Sequence, residues 1–167
     1  MEFDEYYLKI AIAVREKANC KGRKVGAVIV KDNRIISTGY NGTPEGIDNC
    51  DCLYGGCYRC SPSSRAVKGA DYDRCICVHA EQNAVLSAAR FGIALEGSTV
   101  YTTLAPCITC AKEMLQAKVK RVVYIHVFEY TKEEYKGQHK KLLDAFSDGV
   151  KQVKIKDPRK KWANNES

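Results

Sequence analysis

No stretch of this sequence approaches the ~18–20 consecutive apolar residues of a membrane-spanning helix. The first residues, MEFDEYYLKI, place two acids among the first four and show no basic-then-apolar pattern. An export signal is therefore not expected there, and a cytoplasmic setting is. No internal repeat is visible. Cysteine is plentiful but not plentiful enough for a disulfide scaffold: 9 of 167 residues, against roughly 8–10% or more in such scaffolds. The count is also odd. In a reducing compartment such a set more often binds metal or does chemistry than forms disulfides. What remains is ordinary for a globular chain, with 45% hydrophobic and 28% charged residues in a single domain's length. The net charge of +7 suits an anionic ligand without saying which kind.

The hydrophobic pattern alternates between helical and strand periods. Residues 2–18 read as a helix with acids first and bases later, favourable to the helix dipole. VGAVIVK (25–31) and RIISTGYN (34–41) flank Asp32-Asn33 and read as a β-hairpin. Residues 79–92 and 106–119 read as helices, the second with Pro106 at its start. Strands are expected at 98–104, 121–128 and 150–156, and a further helix at 132–146. The sum is an α/β fold of three layers, α/β/α, around a central mixed sheet of five strands. One domain over 1–156 is expected, with a cysteine-rich insertion at 42–77 and a polar, frayed tail at 157–167. A structureless loop as long as the insertion is unusual inside a compact domain, so metal is the natural candidate to hold it.

Two short motifs carry the chemistry. His79-Ala80-Glu81 opens one predicted helix and Pro106-Cys107-x-x-Cys110 opens another, the H-x-E…P-C-x-x-C pattern of zinc deaminases. One imidazole and two thiolates supply three zinc ligands and leave the fourth tetrahedral position for water, as a catalytic site requires. Zinc lowers the pKa of such a water to about 7. Glu81 stays off the metal and can shuttle protons. Each half alone is weak evidence. Together, each following the right kind of element, they are strong, and a closed structural site would have no use for Glu81. His126 and His139 have no ligand-like partners at short spacing and read as structural or surface residues. Trp162, in a Lys-rich segment, reads as a solvated end.

HAEQNA, TLAPCITCAKEM and ISTGYNGTPEG together resemble the deoxycytidylate (dCMP) deaminase family, within the cytidine-deaminase-like fold. The resemblance runs from Cys20 to Tyr124. It implies zinc-dependent hydrolysis of dCMP to dUMP, supplying dUMP for dTMP synthesis, with attack at C4 of cytosine and Glu81 as proton shuttle. It also implies substrate contacts from Asn41 (the sugar hydroxyl), Ala80, and Arg23 with Tyr124 (the 5′-phosphate). Family members are commonly homohexamers, activated by dCTP and inhibited by dTTP. No nucleic-acid or membrane partner is expected. A nucleic-acid deaminase is the alternative, but it needs a basic, aromatic-lined groove and the Lys and Arg here are scattered. A non-catalytic, zinc-stapled binding module is the alternative of another class, and Glu81 argues against it.

The cysteine-rich segment resembles one variety of this family. Some members carry a second, non-catalytic zinc on ligands equivalent to Cys20, Cys50 and Cys77, which leaves Cys57, Cys60 or Cys75 for the fourth corner. These cysteines are more than one four-coordinate zinc needs. Either some are spare or two metals are present; disulfides are the competing reading.

Overall fold

A computed structural model describes residues 2–50, 56–60 and 75–164; Cys52 and the other insertion residues at 51–55 and 61–74 lie outside the described residues. Helix α1 (Phe3–Arg15) has Asp4 and Glu5 in its first turn and Arg15 in its last. It is shorter than the sequence pattern predicts. Glu16, Lys17 and Ala18 instead donate to Ala13, Val14 and Arg15, the i→i−3 tightening common at helix ends. Strands β1 (Gly26–Lys31) and β2 (Arg34–Tyr40) form the hairpin. Asp32 and Asn33 turn it at φ 49° and 58°, the left-handed pair that a type I′ turn requires.

The remaining elements are α2 (Ala80–Arg90), β3 (Thr99–Leu104), α3 (Ile108–Gln116), β4 (Arg121–His126), α4 (Glu133–Leu143), β5 (Val150–Gln152) and the single turn α5 (Lys161–Asn164). The sheet order is β2-β1-β3-β4-β5. The strand β1 is antiparallel to both neighbours, whereas β3–β4 and β4–β5 are parallel. On one face Tyr7, Leu8, Ala11 and Ile12 of α1 pack with Val28, Val30, Tyr101 and Val123. On the other, Ala80, Ala84, Ala88, Ala111 and Met114 of α2 and α3 pack with Ala27, Ile29, Val100 and Val122. Adjacent strand residues thus serve opposite cores, the two-residue period of a strand. Burial on both faces explains why the strands read as nearly continuous apolar runs. The expected three-layer, mixed-sheet architecture is the one observed.

Two glycines let the helices approach. A Cβ on Gly26 would collide with the backbone of Ala11 and Arg15 in α1, and one on Gly39 with the backbone of Ala80 and Ala84 in α2. Among the described residues, no helix is long and apolar enough to cross a membrane.

The C-terminal segment departs from expectation. The strand predicted over 150–156 pairs only through Gln152, and the chain then crosses to α1 instead of fraying. Asp157 meets the Arg15 guanidinium at 2.6 and 2.8 Å and His126 Nε2 at 2.6 Å. The Arg15 and Asp157 side chains are 0% and 1% exposed. The Trp162 ring is not a solvated end, because it lies against Arg15, Lys24 and Arg159, a cation–π arrangement. Ala163 joins the core.

A second ion-pair group ties α1 to the sheet edge. Asp4 takes two hydrogen bonds from Arg121, both 2.8 Å, and one from Lys151 at 3.1 Å. Arg121 holds the Asp4 carboxyl down to about 2, against the opposing effect of partial burial. The folded value lies below the unfolded one. The pair therefore stabilises fully above about pH 4 and its contribution is lost as pH falls toward 2. Asp4→Asn is expected to cost up to about 2 kcal/mol at pH 7, less after solvent screening. It should also flatten the stability profile between about pH 4 and pH 2. Urea unfolding midpoints across that range measure both effects; parallel profiles for the two proteins would refute the assignment.

Candidate active site

His79 is the last extended residue before α2, and Cys107 the last before α3. Pro106 therefore stands one residue before the helix cap, not at the helix start that its sequence position suggested. The two helix N-termini converge. His79 Nδ1 lies 3.3 Å from Cys110 Sγ and 3.5 Å from Cys107 Sγ. All three donor atoms lie within 4.8 Å of one another. Donors of one tetrahedral zinc, at bond lengths of about 2.0–2.3 Å, lie about 3.6–3.8 Å apart, so this set fits the ion closely. The Cys107 thiol is brought down to about 4, first by its contact with Cys110 and then by His79, and His79 is pushed up to about 9 by Cys107. Cys107 and burial push the Cys110 thiol up instead, so of the two thiols it is Cys107 that favours the thiolate form a metal ligand needs.

Glu81 sits in the first turn of α2 and is 5% exposed. Its Oε1 accepts the Thr102 hydroxyl at 3.0 Å, and its Oε2 lies 3.6 Å from Cys110 Sγ. Burial pushes its pKa up, and the neighbouring His79 partly offsets this. The carboxylate is thus beside the donor set and oriented by another side chain. Thr102 escaped sequence reasoning because nothing marks one threonine among several in a buried strand. His139 escaped it too. Its Nε2 donates to the Pro106 carbonyl at 2.7 Å, fixing the turn that presents Cys107. Tyr130 does similar work, accepting the Ile108 N–H at 3.0 Å at the start of α3. The reading of His126 and His139 as structural residues agrees with their contacts.

The expected substrate residues occupy separate places around this centre. Asn41 is buried and bound to the backbone through both ends: Oδ1 accepts the Val25 N–H and Nδ2 donates to the Arg23 carbonyl, each at 2.7 Å. One N–H and one lone pair remain for a ligand. Arg23 extends over the Phe128 ring at 5.2 Å. Ala80 is fully buried, packed over Gly39. Tyr124, on β4 beside Thr102, lines a cleft of about 640 Å³ together with Phe128, Tyr130, Lys136, His139 and Lys140. That cleft lies past the carboxyl ends of the parallel strands, where open α/β sheets bind ligands.

A second group of donors lies at the base of the insertion. Gly42 and Val78 exchange backbone hydrogen bonds of 3.2 and 2.8 Å, so the chain leaves and re-enters the domain at one point, next to His79. Cys20, before β1, Cys50, after β2, and Cys77, before α2, come together with Sγ atoms within 4.8 Å. Cys57, Cys60 and Cys75 join them, in the further triads Cys50–Cys57–Cys60 and Cys57–Cys75–Cys77.

Three donors gathered for one metal, beside a buried carboxylate kept off it, define a site of the zinc-deaminase class. The comparisons agree. The sequence profile described as the cytidine and deoxycytidylate deaminase zinc-binding region matches residues 1–126, and the chain belongs to that family. It is similar to the deoxycytidylate deaminase of Mycobacterium phage D29, 43% identical over 128 residues that cover 74% of this chain and 94% of that one. It is also similar to the Schizosaccharomyces pombe deoxycytidylate deaminase, 42% identical over 122 residues. There the match covers 73% of this chain but only 36% of the yeast protein, so the chain spans a little over a third of that relative's length. Among solved structures, it resembles the dCMP deaminase of cyanophage S-TIM5 in complex with dCMP and dUMP. The TM-score is 0.66 and the identity 31%, over 93% of this chain and 99% of that one.

Proposed function

We propose that this protein hydrolyses dCMP to dUMP and ammonia. The observation that carries the reading is Glu81: a buried, oriented carboxylate next to a His/Cys/Cys donor set, on a chain that aligns along almost its whole length with a structure holding dCMP and dUMP. His79, Cys107 and Cys110 are the residues to hold zinc. Zinc bound there supplies the positive charge that makes water acidic enough to act as a nucleophile at neutral pH. The chain's own residues do the rest. Thr102 fixes Glu81 Oε1, which leaves Oε2 to pass one water proton to the ring nitrogen and then the second, from the new C4 hydroxyl, to the departing amine. One water is consumed, the C4–N bond breaks and ammonia leaves. A carboxylate with its pKa raised by burial is suited to passing a proton both ways near neutral pH.

Asn41 and Ala80 are assigned to the nucleoside, and Arg23 with Tyr124 to the 5′-phosphate. A guanidinium fork matches phosphate oxygens, and the packing of Arg23 on Phe128 directs it without neutralising it. Arg23→Ala is expected to lower kcat/KM for dCMP about ten- to hundredfold while leaving deoxycytidine turnover nearly unchanged, since a charge-assisted hydrogen bond contributes roughly 1.5–3 kcal/mol. Equal losses on both substrates would show that the arginine acts on structure alone.

Further parts of the reading rest on the family resemblance: a cytoplasmic homohexamer, activated by dCTP and inhibited by dTTP. The insertion is assigned at least one structural zinc, on cysteines that include Cys20, Cys50 and Cys77. The deciding experiment is ammonia release from dCMP, deoxycytidine, CMP, dCTP and a single-stranded oligonucleotide, repeated with dCTP and dTTP as effectors and with light scattering on the same sample. Preference for dCMP is expected. Release from the oligonucleotide alone would make this a nucleic-acid deaminase, and no release from any of them a binding module.

A further inference from the structure

The thiols at the base of the insertion form one connected group, not a four-ligand site with bystanders. Cys20, Cys50, Cys57 and Cys77 are buried, with Cys60 and Cys75 packed against them, and together they make a core cluster composed of cysteine alone. Its three triads overlap in a regular way. Cys50, Cys57 and Cys77 each belong to two triads, whereas Cys20, Cys60 and Cys75 each belong to one. Any single tetrahedral ion uses four thiolates and leaves two of the six uncoordinated. Cys50 and Cys77 are 3.2 Å apart, Cys57 and Cys75 3.8 Å. The Cys57–Cys75 separation matches the roughly 3.8 Å between sulfurs on one tetrahedral zinc, the Cys50–Cys77 pair is closer than that, and both are far from the ~2.05 Å of a disulfide.

Coordination arithmetic accommodates a second ion. Two four-coordinate ions need eight donor positions, and six thiolates supply eight if two of them are shared. The overlap pattern provides the shared ones. Beside one ion two of the six cysteines would stay uncoordinated thiols, whereas a second ion engages all six as thiolates. Zn₂Cys₆ modules show that such sharing is stable. Building on the reading that metal holds the insertion, we infer that its base is a binuclear zinc–thiolate cluster. Two of Cys50, Cys57 and Cys77 bridge the ions, and the third is terminal together with Cys20, Cys60 and Cys75. With the His79 centre, the chain carries three zinc ions. The cluster replaces an apolar core, since binding of structural metal is itself folding energy in small domains.

Native mass spectrometry of the full chain, purified without added zinc or chelator, tests the count. Three zinc ions per chain are expected. Two would overturn the binuclear cluster while leaving a single structural zinc in place, and one would overturn both readings. Substitution with ¹¹³Cd tests the sharing: two cluster resonances split by metal–metal coupling are expected, and three bound ions without that coupling would mean separate sites. Cys52→Ser should leave the count at three; loss of an ion would bring in a seventh thiol and overturn the six-ligand assignment. Iron and sulfide in place of zinc would overturn it as well.

Discussion

Glu81→Gln is expected to retain the metal of His79, Cys107 and Cys110 and to lose about 10²–10⁴-fold in turnover, the usual range for a general acid–base group. The loss should fall toward the upper end, because one carboxylate serves several proton transfers. The substitution keeps shape and preserves an acceptor for the Thr102 hydroxyl, so the fold gives no reason for inactivity. It also relieves the cost of a buried ionisable group, and thermal stability should be equal or slightly higher. Metal content by mass spectrometry, melting temperature and ammonia release from dCMP separate these effects. Near-normal turnover with full metal content would remove Glu81 from the chemistry.

The second large effect is on stability. Asp157→Ala leaves Arg15, which has a fully buried side chain, without its counter-charge, and breaking a buried pair by removing one partner typically costs about 3–5 kcal/mol. In a domain of this size each kcal/mol lowers Tm by roughly 2–4 °C, so a fall of about 10 °C is expected. Burial alone would raise the Asp157 carboxyl, but hydrogen bonds from Arg15 and His126 outweigh it and hold the group below the usual carboxylate range. Its contribution is therefore present at neutral pH and disappears in acid. The double variant Arg15→Met, Asp157→Leu should recover most of the loss, because apolar replacements of both partners are often neutral. Calorimetry of the three proteins decides it; a Tm for Asp157→Ala within a degree or two of the parent would mean that the segment does not dock in solution.

What was legible in the sequence was local. The hairpin was visible because Asp32-Asn33 favours positive φ between two β-branched runs, and the helices because apolar residues recur on one face. The donor set of His79, Cys107 and Cys110 was visible because such chemistry needs three residues in two short motifs, each at a helix start. Pairings between distant residues were not visible. Thr102 meets Glu81 across 21 residues, His139 meets Pro106 across 33, and Arg15 meets Asp157 across 142. No periodicity records such partnerships. An alternating run such as VKQVKIK satisfies the strand pattern equally well whether it pairs throughout or, as here, leaves the sheet after three residues to deliver Asp157. Asn41 shows a different limit, since its type suits a sugar hydroxyl and the two backbone groups it staples equally well.

The link between Arg15 and Asp157 also sets an order of events during synthesis. Arg15 leaves the ribosome 142 residues ahead of its partner, and at roughly 5–20 residues per second that is a wait of about 7–28 seconds. Over that interval the hairpin, α2 and β3 can assemble, but the guanidinium has nowhere dry to go and must keep its hydration shell. The first helix can seat fully on its face of the sheet only when the strand past β4 has arrived and turned back across it. Closure of the nascent domain is thus delayed until the last structured segment is out. Before then α1 has its apolar partners in Val28, Val30 and Tyr101, but its Arg15 end stays unanchored.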